Sequence, residues 1–282
     1  LAGLFEAEAP PAAASTNAGG AAASGSGVAL TGTSALLPSG VDGEGQAWRM
    51  AAGGGDVVGE VPAARWELGP PPRADDAVGL RVRHGGFVAG AERFDARCFG
   101  VSAAEAGAMD PQQRLLLERG YEALHGAGLR RAALEGSVSG VFLAIAANDF
   151  AEVLRASPAG RSVYAATGSA HSIAAGRLSY VLGLQGPCVA YDTACSAALA
   201  AGHAALRAVQ RGECAAGLLE AVSLMLLPGV GQGFAVAGMT SARGRSHTFD
   251  ARADGYARGE ACGGVVLQPV AHAQGAGAML LG

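Results

Sequence analysis

Hydrophobic residues recur along this chain in two rhythms: short unbroken runs, and stretches at helical spacing, with Gly, Pro and small polar residues between them. The runs predict strands at Val28–Leu30 (followed by a loop over 31–34), Val138–Ala144, Cys188–Asp192, Leu218–Leu227 and Cys262–Val270. The strongest helical stretch begins at Asp110, placed to cap it. Pro111 suits the first helical position, and Gln113 completes a capping-box pattern. Leu117, Tyr121 and Leu124 then recur at helical spacing, and Gly126 and Gly128 mark the end. Two further helices are predicted over His171–Leu182 and Ser196–Arg211. The latter carries Leu199, Leu206 and Val209 on one side, and Ala residues and Gly202 that allow close packing. A weaker helical stretch around Trp48 lies within 42–55, closed by Gly53-Gly54-Gly55, and the Gly-, Pro- and Arg-rich segment 68–86 reads as a surface loop. Residues 1–26, rich in Ala, Gly, Ser and Pro without periodicity, read as a disordered linker or leader. Strands alternating with helices predict an α/β fold with a largely covered sheet.

Composition refines this picture only at its edges. With 282 residues the chain can bury a sizeable core as one large domain or two small ones. Half of it is hydrophobic, but Ala and Gly carry much of that, and every one of the 20 basic residues is Arg, a pattern that suggests GC-rich codons. A net charge of −4 provides no basic face for a phosphate backbone, so no nucleic-acid partner is expected. The most apolar stretch, Ala215–Leu227, is interrupted by Glu220 and closed by Pro228, so no membrane span is expected. Leu1–Ala9 lacks the basic start of a signal peptide, and the chain reads as a piece of something longer. The five cysteines (Cys98, Cys188, Cys195, Cys214 and Cys262) show neither a CxxC pair nor Cys/His ligand spacing, which predicts no disulfide framework, no zinc and a reducing compartment, cytoplasm or plastid.

Among them Cys195 stands apart. It follows a predicted buried strand and opens a predicted helix, where free N–H groups and the helix dipole favour thiolate over thiol and can hold an oxyanion. Ala194 and Ser196 leave room for a substrate. On local pattern alone a second reading stands beside the nucleophile, that of a buried small hydrophobe. Cys98, Cys188, Cys214 and Cys262 read as packing residues.

The wider motif pattern separates the two. Tyr191–Leu199 (YDTACSAAL) resembles the DTACSSSL active-site signature of modular polyketide ketosynthases. Arg83–Phe87 with Arg93–Asp95, Met109–Glu118 (MDPQQRLLLE), Ser172–Tyr180 (SIAAGRLSY), Gly212–Cys214, Ala237–Met239 and Phe249–Glu260 (FDARADGYARGE) resemble further family motifs in the family's order. The resemblance covers roughly residues 28–282 and implies a thiolase-like fold, of which 27–282 would be the N-terminal βαβαβαββ half of a duplicated five-layered architecture, usually homodimeric. It implies a β-ketoacyl synthase of polyketide or fatty-acid biosynthesis. Cys195 would accept an acyl group from the phosphopantetheine of an acyl carrier protein, before decarboxylative condensation with a malonyl-type extender, and no cofactor would be bound. The family's two downstream histidine motifs and its GFGG-type loop are absent, and none of His84, His125, His171, His203, His247 and His272 has the matching neighbours. The resemblance therefore implies that the chain by itself is an incomplete, inactive fragment. The alternative is a non-condensing scaffold that docks carrier proteins or a partner subunit; a condensing enzyme acting on coenzyme A esters fits the MDPQQR and DTACS runs less well.

The remaining candidates have plainer readings. Gly229–Gly233 (GVGQG) reads as a loop rather than a dinucleotide cradle. His84 and His171 read as structural, and Glu260 and Asp254 as holding the floor of the site. Arg73, Arg81 and Arg83 read as a solvated face, or as a surface for an acidic carrier.

Overall fold

The computed structural model describes residues 27–273 and 279–281, so the leader predicted at 1–26 lies outside the described residues. Eight elements make its main body, in chain order β1 (Val28–Leu37), α1 (Pro111–Gly126), β2 (Ser139–Ile145), α2 (His171–Leu182), β3 (Cys188–Tyr191), α3 (Ala197–Gln210), β4 (Ala216–Ser223) and β5 (Ala261–Pro269). That order is βαβαβαββ, the half-unit that the family resemblance implies. The strands lie in the order β1-β5-β4-β2-β3, with β4, β2 and β3 parallel and β5 antiparallel to both its neighbours. Helices α1 and α2 pack on one face of the sheet and α3 on the other. A small second sheet joins Gly59–Glu60, His84–Gly86 and Arg258–Gly259.

Several boundaries differ from the sequence pattern, each for a physical reason. β1 does not stop at Leu30 but runs to Leu37 through an irregularity between Leu30 and Gly32. Gly32 is no turn: a Cβ there would collide with Ala123 O and lie 2.7 Å from Ala127 N, so glycine lets α1 cross the strand closely. Asp110 caps α1 as expected, accepting from Gln112 N at 2.8 Å. It is Gln112, not Gln113, whose amide returns to Asp110, at 3.1 Å. Gln113 instead bonds Thr167 O and accepts from Arg177 Nε at 3.0 Å, and Arg177 also pairs with Glu105. The MDPQQR and SIAAGR motifs are thus locked to each other inside the core.

The helix near Trp48 forms over Glu44–Ala52 and α2 matches its predicted span, closed by Gly183 at φ 70°. Segment 68–86 is not all loop: Asp76 caps a helical turn at Ala77–Arg81, and His84–Gly86 is a strand. Gly229–Gly233 is the start of a helix, Gly229–Val236. β4 ends at Ser223, well short of Leu227. On α3 the buried face is Ala197, Ala201, Ala205, Ala208 and Val209, while Leu199 points to solvent, opposite to its predicted side.

Candidate active site

The parallel strands β2, β3 and β4 end on one edge of the sheet, where the chain leaves each into a loop or helix start. This is the edge at which open α/β sheets place their ligands. Cys195 lies there, in a 3-10 turn Ala194–Ser196 between β3 and α3. Asp192 Oδ1 accepts from Ala194 N at 3.0 Å and holds Ala194 in the left-handed region, φ 54°. A non-glycine residue there stores strain of about 1–3 kcal/mol, which the surrounding turn must sustain. The Ser196 hydroxyl donates to Thr193 O at 2.8 Å and can donate to Thr193 Oγ1 at 2.9 Å, and no side chain caps α3. The first N–H groups of the helix are therefore left without a side-chain partner beside the thiol.

Two expectations about this elbow change. β3 is not buried: Cys188 and Val189 are exposed, because β3 is the edge strand of the sheet. Cys195 is itself exposed, which excludes the buried-hydrophobe reading. Cys188 is likewise no packing residue. Cys214 and Cys262 are buried as expected; burial lifts the Cys214 thiol to about 11 and pushes Cys262 well above the thiol range. Cys98 is half-buried, and desolvation raises it as well.

Glu260 is the keystone of the neighbouring wall. Its carboxylate accepts from Arg65 Nε and Nη2, both at 2.8 Å, and from Val88 N and Met225 N, both at 2.9 Å. It joins three distant segments and has no lone pair to spare for acid–base work. Asp254 is also structural, accepting from Ser241 Oγ at 2.6 Å and Ala242 N at 3.2 Å. His171 Nε2 lies 3.2 Å from Ala147 O at the start of α2. His84 sits in the small sheet against Gly244. Arg81 is spent on the carbonyls of Thr240 and Asp254, and Arg83 on Glu60 and the Gly69 carbonyl, so only Arg73 of that trio is solvated. Asp149, which no motif singled out, accepts from Leu226 N at 3.0 Å and Leu227 N at 3.1 Å, tying the loop after β4 to the one after β2. Among the described residues no group of three or more His, Cys, Asp or Glu is placed to hold a metal, and no helix is long and apolar enough to cross a membrane.

Residues 26–273 match the family described as "Beta-ketoacyl synthase, N-terminal domain". The chain is 41% identical over 250 residues to the polyketide synthase GfsB of Streptomyces halstedii, covering 88% of this chain and 4% of that protein. It is 41% identical over 243 residues to one of the phenolphthiocerol/phthiocerol polyketide synthase subunits of Mycobacterium tuberculosis, covering 86% of this chain and 16% of the relative. The structure resembles the module 6 ketosynthase of the Bacillus subtilis bacillaene synthase, with a TM-score of 0.77 and 31% identity, covering 87% of this chain and 40% of that one. A Streptomyces albus oxazolomycin ketosynthase domain gives a TM-score of 0.78 and 32% identity, covering 87% and 43% respectively. The chain thus spans a small part of the curated relatives and less than half of the solved ketosynthases it matches.

Proposed function

Because this chain belongs to the β-ketoacyl synthase family, whose N-terminal domain it carries, we propose that it is the acyl-capturing part of a polyketide ketosynthase, with Cys195 as the nucleophile. The single observation that carries this reading is the exposed thiol on a strained strand–turn–helix elbow, beside helix N–H groups that no side chain claims. In the proposed step the Cys195 thiolate attacks the carbonyl of an acyl thioester held on a carrier's phosphopantetheine. Negative charge gathers on the carbonyl oxygen, where backbone N–H groups can receive it. The carrier sulfur then leaves and takes up a proton, and the acyl group remains as a thioester on Cys195. Covalent capture divides one difficult condensation into two easier steps.

Condensation itself needs a decarboxylated malonyl-type nucleophile, and this chain lacks the family's histidine motifs that would stabilise that charge. The exposed edge of β3 supports pairing with a second copy, and an acyl carrier protein is the proposed substrate-bearing partner.

The test is intact-mass analysis after incubation with an acyl N-acetylcysteamine thioester. One acyl adduct should form, persist in Cys188→Ala and vanish in Cys195→Ala. An adduct on another cysteine, or none in a folded sample, would reject the nucleophile and favour a docking scaffold. Supplied with acyl- and malonyl-carrier thioesters, the chain alone should yield no β-ketoacyl product.

A further inference from the structure

We propose that the cleft between the His84–Gly86 strand and the Gly229–Val236 helix is a binding site for a small free carboxylate, received by the guanidinium of Arg258. Nothing in the acyl-capture reading requires this site, and the two stand or fall separately.

Arg258 is partly buried, with its guanidinium carbon 5.1 Å from the centroid of the Phe234 ring, and among the described residues it makes no side-chain hydrogen bond or ion pair. The acids close enough to act on its charge are Asp149 and Glu260, with the Tyr256 phenol beside them. Both carboxylates are engaged elsewhere: Asp149 with the N–H groups of Leu226 and Leu227, Glu260 with Arg65, Val88 and Met225. A desolvated cation without an anion is unfavourable, and burial depresses its pKa accordingly. An anion from outside the described chain would relieve that cost.

The surroundings specify which anion. The cleft is narrow, with about 20 Å³ in which the centre of a water-sized group can sit, and its whole open space of about 360 Å³ includes solvent. Thr240 Oγ1 and His84 Nδ1, two buried polar atoms without a hydrogen-bond partner among the described residues, belong to lining residues. Burial holds His84 toward its neutral form, so it adds a hydrogen-bonding atom without a second charge. Arg81 also lines the cleft, but its guanidinium is spent on backbone carbonyls. The other walls are apolar, with Val61, Trp66, Phe87 and Met225 among them. A planar carboxylate can accept from the guanidinium and the Thr240 hydroxyl while a short hydrocarbon arm rests on Trp66 and Phe87. A phosphate would place a bulkier and more strongly hydrated charge against the same apolar walls.

The experiment titrates the intact chain with propionate, 1-propanol and sodium chloride, read by calorimetry and by tryptophan fluorescence. Trp66 lines the cleft, whereas Trp48 lies exposed on another helix. Propionate should bind saturably and shift the emission, and propanol and chloride should not. Arg258→Gln should weaken propionate by about tenfold or more, since hydrogen bonds to charged groups contribute about 1.5–3 kcal/mol. Thr240→Val should weaken it less. An equal response to propanol or chloride in the unaltered chain overturns the proposal without reference to any variant. So does undiminished binding by folded Arg258→Gln. Tighter binding of N-acetylglutamate amide than of propionate would assign the guanidinium to a protein side chain instead, and overturn the free-carboxylate site.

Discussion

Helices α1 and α3 flank the same sheet and are nearly equal in length, yet they finish their faces in opposite ways. α1 buries Leu115, Leu116 and Leu117 with Tyr121 and Leu124, and its close crossing over Gly32 seals that side within the chain. α3 meets the sheet through alanines and turns Leu199 outward, 80% exposed. Beside it Val189 on β3 is also exposed. Under α1 the face is a completed core, although Tyr180 on the outer side of α2 is exposed. The other presents apolar side chains together with the elbow of Cys195, as a surface awaiting contact does.

The comparison can be broken most severely at the wall that Glu260 holds. Glu260→Ala would strand the Arg65 guanidinium, itself only 9% exposed, and should cost about 3–5 kcal/mol in denaturant unfolding. A cost below about 1 kcal/mol would mean that solvent reaches the pair. On the sealed face, Leu116→Ala should cost about 2–5 kcal/mol, set by how far α1 can collapse onto the sheet.

The sealed face also contains a liability that pH can expose. Glu220 on β4 is completely buried, among the described residues its two carboxyl oxygens have no hydrogen-bond partner, and Gly120 of α1 leaves the space for them. Desolvation raises its pKa well above 4.5, so it is neutral when folded and ionised when unfolded at higher pH. The stability tied to this group is fully present below 4.5 and is lost as pH rises toward the folded value, at up to about 1.4 kcal/mol per pH unit. Asp110, lifted by burial to about 6, adds a slope of the same sign that ends near that pH. Between about pH 7 and 8 His84, held toward neutral by burial, adds a share of opposite sign at the lower end, and the buried thiols Cys214 and Cys262 add one of the same sign at the upper end. It is therefore the difference in slope between the unaltered chain and Glu220→Gln that reports Glu220. Glu220→Gln should flatten the slope in that window, and an unchanged slope would show that water or a counter-charge reaches the carboxyl. The smallest effect belongs to the open face: Leu199→Ser should stay within about 0.5 kcal/mol of the unaltered chain by the same unfolding measurement. A larger loss would show that Leu199 is covered in solution.

Legibility in the sequence followed the range of the forces involved. α2 could be read because its apolar residues Ala174, Leu178 and Leu182 recur four apart and Gly183 closes it, both local signals, although no side chain caps its start at Ala170. Gly32 misled because glycine there answers a close approach rather than a turn, and Gly229–Gly233 because tertiary context can override glycine's weak helix propensity. At Gly32 a helix does approach, and Gly229–Val236 is helical despite its glycines. Gln113 misled because its partners, Thr167 and Arg177, lie more than fifty residues away.

The sequence by itself determined the alternation of strands and helices, the motifs that resemble the family and the place of Cys195 at the junction of β3 and α3, since periodicity and motif order are carried by neighbouring residues. Only the tertiary structure decided that β3 is an open edge, that Leu199 faces outward, that Glu260 is fully engaged and that Arg258 has no anion among the described residues. Exposure and partnership at those positions depend on which distant segments the fold brings alongside, and no local pattern encodes that.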